Sequence, residues 1–236
     1  MLKEFRETIF QNESLSKLLF ISIFFSILIS FSNLLAKELV IALVLDADTI
    51  KTNILPATQK QNVIAKMSIP THLTVMWLKD LPSGYNAKVN ELQERLQEKT
   101  KKFLADYKSQ MNRDFKVVIE KTEKNSAGNI LGGIYLLATS QGHTVLTNLI
   151  KALKKEVITW KSENPTISVN FYKYFAGDQF LPHITVLETI KAESIFPSAE
   201  AKKNYAKEID ETIQNNKPEG FGGIPVSILH TDWWTQ

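Results

Sequence analysis

His72-Leu73-Thr74-Val75 decides how this chain is read, because the same pattern returns once as His183-Ile184-Thr185-Val186. Successive side chains of a strand point to opposite faces, so His72 and Thr74 share one face while Leu73 and Val75 take the other. His183 and Thr185 separate from Ile184 and Val186 in the same way. Each copy is a polar pair mounted on an apolar back. A fold that brings the two strands together assembles two imidazoles and two hydroxyls in one cleft, the inventory needed to move protons and hold a phosphate.

The segments around these motifs alternate between strand and helix patterns. Residues 39–45 form a continuous apolar run, short enough for a central strand, which Asp46-Ala47-Asp48 closes. A polar loop containing Pro56 and then residues 63–67 lead into the first motif strand, which ends at Trp77-Leu78. Leu81-Pro82-Ser83-Gly84 makes a turn. A long helix is expected from about residue 86 to 111, with Val89, Leu92, Leu96, Phe103, Tyr107 and Met111 near helical spacing.

Residues 115–119 and 130–138 read as a hairpin, and Gly132-Gly133 suggests a bulge or a close backbone approach. No Gly-Lys-Ser/Thr follows those glycines, so they are not a phosphate-cradling loop. A second amphipathic helix over residues 144–161 aims Val145, Leu149, Leu153, Val157 and Trp160 at a core. Residues 167–175 read as a strand, and Gly177-Asp178 turns the chain into the second motif. A polar helix follows Pro197, with Tyr205, Ile209 and Ile213 on its apolar side, and the last strand covers residues 224–230. A strand cluster and a helix thus occur twice, one His-x-Thr in each half. The expected fold is α+β and bilobal: two similar, mainly antiparallel sheet lobes with flanking helices around a central cleft.

Composition narrows the chemistry. With 236 residues, 44% apolar and 22% charged, the chain is long enough for a sizeable core and is not disordered in composition. A net charge of +3 neither demands nor forbids a polyanionic partner, and the Glu and Lys residues of the long helix read as a solvated face. Cysteine is absent, which excludes disulfides, thiolate metal sites and cysteine nucleophiles.

Ahead of the folded part, residues 1–17 balance Lys3, Arg6 and Lys17 against Glu4, Glu7 and Glu13, and residues 18–36 then run without a charge. That length reaches the lower range for a bilayer-spanning helix and also suits a signal-peptide apolar region. Cleavage after Ala36, with Leu34 at the third position back, and an uncleaved anchor both remain open. The expected domains are therefore residues 1–37, a signal peptide or membrane anchor, and residues 38–236, a soluble domain that is exported (periplasmic or secreted) or membrane-anchored through residues 18–36.

The other candidates for chemistry read more blandly. His143 follows Gln141-Gly142 near a helix start and suits a loop or cap role, and His230 suits an edge strand or a solvent-facing position. No His-x-x-x-His spacing or carboxylate triad points to a metal, and there is no Gly-x-Ser-x-Gly elbow. Trp233-Trp234 could stack a base, pack, or touch a membrane interface.

The paired His-x-Thr-hydrophobic motifs, about 110 residues apart, resemble those of the two-histidine (2H) phosphoesterases, a superfamily that includes bacterial 2'-5' RNA ligase-like proteins and cyclic nucleotide phosphodiesterases. Leu39-Val40-Ile41-Ala42-Leu43 looks like the family's opening strand, Ile134-Tyr135-Leu136 like its central segment, and Phe180-Leu181-Pro182-His183-Ile184-Thr185 like its second motif with the preceding proline. The resemblance covers roughly residues 38–230. It implies a bilobal sheet whose cleft holds both motifs, and metal-independent, cofactor-free cleavage of a 2',3'-cyclic phosphate or related phosphodiester of a nucleotide or RNA end by a monomer. By position, His72 and His183 would be the acid/base pair and Thr74 and Thr185 the phosphate-holding hydroxyls, with RNA ligation as the reverse direction. One departure is the apolar segment at residues 18–36, since typical cytosolic members begin directly at the first strand. The alternative is a non-catalytic nucleotide- or RNA-binding module on the same fold.

Imidazole titrates near neutrality, so one ring can take a proton from water while the other, protonated, gives one to the leaving ribose oxygen. The two must start in opposite protonation states, which predicts a bell-shaped pH–rate profile. Threonine hydroxyls that donate to non-bridging oxygens strengthen as charge develops in the transition state.

Overall fold

The computed structural model describes residues 37–67, 70–123, 135–138, 140–176 and 182–235. The apolar segment at residues 18–36, the glycine pair Gly132-Gly133 and the Phe180-Leu181 part of the second motif lie outside the described residues. The seven strands described form a curled antiparallel sheet in the order β5-β2-β1-β7-β3-β4-β6. They are β1 (Lys37–Leu45), β2 (His72–Leu81), β3 (Lys116–Glu123), β4 (Tyr135–Ala138), β5 (Asn170–Phe171), β6 (His183–Thr185) and β7 (Ile224–Thr235).

The expected α+β, mainly antiparallel architecture is what forms, as two half-sheets that share one strand. Residues 228–235 of β7 pair with β1, while residues 224–227 pair with β3. One half therefore contains β5, β2 and β1, the other β3, β4 and β6, and each carries one His-x-Thr motif. Although β2 lies next to one end of the order and β6 at the other, their Cα atoms come within 8 Å. The sheet curls until its two ends meet.

β1 earns its central place from composition: every residue from Leu39 to Leu45 is buried, as expected for a strand covered on both faces. Leu39, Ile41, Leu43 and Leu45 enter one hydrophobic core. The same core takes Leu92 and Leu96 of α3 (Asn86–Met111), Leu149, Leu153, Val157 and Trp160 of α4 (Ser140–Glu163), and Tyr205, Ile209 and Ile213 of α7 (Ala199–Asn216). The helices thus cover one face of the sheet. Val40, Ala42 and Val44, on the other face of β1, are buried but stand outside that core.

Polar contacts fasten the helices. Arg95 of α3 reaches Glu156 at 3.7 Å and Glu163 at 2.7 Å on α4. Its guanidinium is pushed above its usual range, first by the hydrogen bond to Glu163. On α7, Asp210 accepts from the Thr122 backbone N–H at 2.5 Å and from its hydroxyl at 3.1 Å, tying that helix to β3. Where β7 begins, a Cβ on Gly223 would collide with the Ile119 carbonyl of β3, so the close approach requires glycine there.

Three local readings change. Asp46 does not open a loop; it N-caps α1 (Ala47–Asn53), accepting from the Asp48 N–H at 3.0 Å and the Thr49 N–H at 3.4 Å. The Thr49 hydroxyl donates to the same carboxylate at 2.6 Å and holds it below the usual carboxylate range. A second short helix, α2 (Lys60–Ile64), follows where a loop and an approach to the motif strand were expected.

Residues 167–175 are not one strand. Only β5 pairs, with Leu78 and Lys79, before the Tyr172 N–H bonds the Trp77 carbonyl at 2.9 Å and the chain curls into α5 (Lys173–Ala176). The tyrosine ring then stacks on Trp77 at 4.1 Å. Finally, β7 runs five residues beyond the expected end at 230, and it sits inside the strand order rather than at an edge. A short α6 (Thr189–Glu193) completes the helices described.

Candidate functional site on the concave sheet face

Paired residues of neighbouring antiparallel strands project to the same face, so the register identifies what lies beside each motif. His72 is opposite Val44, and Val44 is opposite His230 on the far side. In the same way Thr74, Ala42 and Asp232 form a second row, and Trp77, Val40 and Trp234 a third. These rows occupy the face turned away from the helix-covered core. Leu73 pairs with Leu43, and both belong to the core on the other side.

Two bulges create this arrangement. In β2, Thr74 pairs with Ala42 and Met76 with Ile41, which leaves Val75 without a partner. Met76 thereby enters the core and Trp77 joins the motif face. In β7, Ile228 pairs with Leu45 and His230 with Val44, so Leu229 is the extra residue. Upstream of it the even-numbered Ile224 and Val226 point to the core; downstream the even-numbered His230, Asp232 and Trp234 point to the motif face. Bulges re-aim side chains in this way beside functional sites.

His72 opens β2 and is half-buried. Its Nδ1 lies 3.0 Å from the Pro70 carbonyl, and a carbonyl only accepts, so Nδ1 carries the proton and Nε2 is the nitrogen left to exchange one. The imidazole meets the Trp234 ring edge to face, with centroids 4.7 Å apart and planes at 78°. On a flat sheet their Cα atoms would be separated by about 10 Å across two strand spacings and about 13 Å along four residues. Only a face folded inward along that diagonal brings the rings together, so the motif face is the concave one.

On β6, His183 is exposed, Ile184 is buried in the core and Thr185 is half-buried. His183 is opposite Leu137 of β4, which is buried yet, like Val40, Ala42 and Val44, outside the helix-covered core. Thr185 is opposite the backbone of Tyr135. The strands carrying all four sequence-predicted residues therefore converge, and each residue alternates with a core residue of its own motif. The Trp77 indole N–H donates to Glu38 at 2.8 Å, fixing the far wall of the face.

Sequence reasoning missed His230, Asp232, Trp234 and Trp77 as neighbours of the site. Plain alternation from Ile224 assigns His230 to the core side, and nothing in the sequence marks Leu229 as a bulge. The Trp233-Trp234 doublet was the available signal. His143 sits in the first turn of α4, with Nδ1 3.4 Å from the Thr147 hydroxyl. Among the described residues no three His, Asp or Glu side chains are grouped to hold a metal ion, and no helix is long and apolar enough to cross a membrane. Comparison with known proteins finds no family model that matches this chain and no curated protein that matches it.

Proposed function

We propose that this chain is a phosphodiesterase of the two-histidine type, opening a 2',3'-cyclic phosphate or related phosphodiester on a nucleotide or RNA end. The observation that carries the reading is the convergence of β2 and β6, with the histidine and threonine of each motif alternating with residues that enter the core. One imidazole takes a proton from water as it attacks phosphorus; the other gives a proton to the departing ribose oxygen. His72 exchanges its proton through Nε2, because Nδ1–H is committed to the Pro70 carbonyl. The Thr74 and Thr185 hydroxyls donate to the non-bridging oxygens, each contributing about 2–4 kcal/mol as charge develops there. The scheme calls for no metal or cofactor, and with a ribose 5'-hydroxyl in place of water the same attack on the cyclic phosphate is a ligation.

Residues 18–36 extend the reading to an exported or membrane-anchored enzyme, since they form an uncharged apolar run. The test is hydrolysis of 2',3'-cyclic mononucleotides and of RNA ending in a cyclic phosphate, by the full chain in mild detergent with a chelator present. His72→Ala and His183→Ala should each lower kcat by about 10²–10⁴-fold. Turnover silenced by the chelator, or unaffected by either substitution, would overturn the proposal. Nucleotide binding without turnover would favour a non-catalytic binding module on this face.

A further inference from the structure

We infer that Trp234 is a positioning residue for His72, holding the imidazole in the orientation that the proposed proton transfer needs. The inference rests on the phosphodiesterase reading for its kinetic consequence, and on the ring geometry for the contact. His72 is fixed at two points of different kind. The Pro70 carbonyl fixes Nδ1, but a single hydrogen bond leaves the ring free to swing about the axis of that bond. The edge-to-face contact with Trp234 at 4.7 Å and 78° removes the remaining freedom.

The indole can reach the ring only because the Leu229 bulge turns Trp234 onto the motif face and the sheet folds inward along the diagonal from β2 to β7. Trp234 is half-buried, and it shares the Val40 row with Trp77, whose own ring is engaged by Tyr172 and Glu38. Trp77 is therefore committed elsewhere, and Trp234 is the aromatic side chain that meets the catalytic imidazole.

The expected kinetic signature is a fall in kcat for Trp234→Ala of about 10-fold or more with KM changed less than about threefold, because misorienting a proton-transfer group weakens the chemical step rather than ground-state binding. Trp234→Phe, which keeps a flat aromatic face, should restore most of kcat. An independent readout uses the full chain labelled at histidine carbons, in detergent. The His72 ring signals, identified by their loss in His72→Gln, should be displaced by the indole ring current and return to the ordinary histidine position in Trp234→Ala.

Wild-type turnover unchanged by Trp234→Ala overturns the inference, and so does an unshifted His72 signal in the wild type. If the wild type shows no turnover but the His72 signal is shifted and is released in Trp234→Ala, the phosphodiesterase reading fails while Trp234 still stands as the group that holds this imidazole. Loss of folding in Trp234→Ala, seen as collapse of all histidine dispersion, shifts the decision to the wild-type signal and to Trp234→Phe.

Discussion

The two copies of one tetrapeptide are supported very differently. β2 is ten residues long, pairs with β1 along its length and with β5 at Leu78 and Lys79, and its histidine is held by a backbone carbonyl and an indole. β6 is three residues long, ends the strand order, pairs only with β4 among the described residues, and leaves its histidine exposed. A short edge strand tolerates displacement that an interior strand does not. One motif is therefore set by the sheet, while the other depends on curling of the sheet to bring it into place.

The sharpest way to break this contrast is kinetic. Different support should not mean different importance if both imidazoles act in one step, so the His72→Ala, His183→Ala double variant should turn over no more slowly than the worse single variant, each being down about 10²–10⁴-fold. Additive losses, measured as kcat on a cyclic mononucleotide, would show that the two histidines do not act as a unit. Stability separates the strands next. Leu73→Ala and Ile184→Ala both empty fully buried positions and should each cost about 2–5 kcal/mol in urea unfolding, with Ile184 at the low end because a three-residue edge strand can settle into the gap. An Ile184→Ala cost above that of Leu73→Ala would reverse the ranking of the two supports.

Smaller effects distinguish the halves themselves. Asp210→Ala removes the carboxylate that ties α7 to β3 and should cost about 1.5–3 kcal/mol, the range for hydrogen bonds to a charged group. Asp46→Ala uncaps α1 in the other half and should cost about 1 kcal/mol. The Asp46 carboxyl is held below its ordinary value of 3.8 by the Thr49 hydroxyl, so it binds its proton less readily folded than unfolded. Its contribution is present in full above that ordinary value and is lost as pH falls through the lower, folded one. The gap in unfolding midpoint between wild type and Asp46→Ala should accordingly close in acid.

Much of the helix-covered face is legible in the sequence, and much of the concave face is not. Val89, Leu92 and Leu96, or Leu149, Leu153 and Val157, advertise a helix because burial repeats with the helical turn, and the run at residues 39–45 advertises a strand covered on both sides. The fold class follows from those periods. The alternation of His72 with Leu73 and of His183 with Ile184 is equally plain, since each polar residue is adjacent to a core residue. What alternation cannot carry is an extra residue: Val75 and Leu229 each reverse the facing of everything after them, and a period-two reading passes over both. Trp77 and His230 were hidden for that reason, and Asp232 and Trp234 also because the last strand was expected to end at residue 230. The 167–175 segment misled because Ile167, Val169 and Phe171 do alternate with exposed residues as in a strand, yet only Asn170 and Phe171 find a pairing partner before the chain curls into α5.

The placement of β7 shapes how the chain acquires its structure. The strand that comes last among those described lies between two laid down much earlier, so β1 keeps a sticky, unpaired flank until residues 228–235 return across most of the sequence to cover it. Closing so long a loop is slow compared with hairpin formation, and an all-apolar strand left waiting is prone to pair with its counterpart in another chain. Nascent molecules therefore pass through an interval in which aggregation competes with completion, and a factor that shields residues 39–45 during that interval should raise the yield of folded protein.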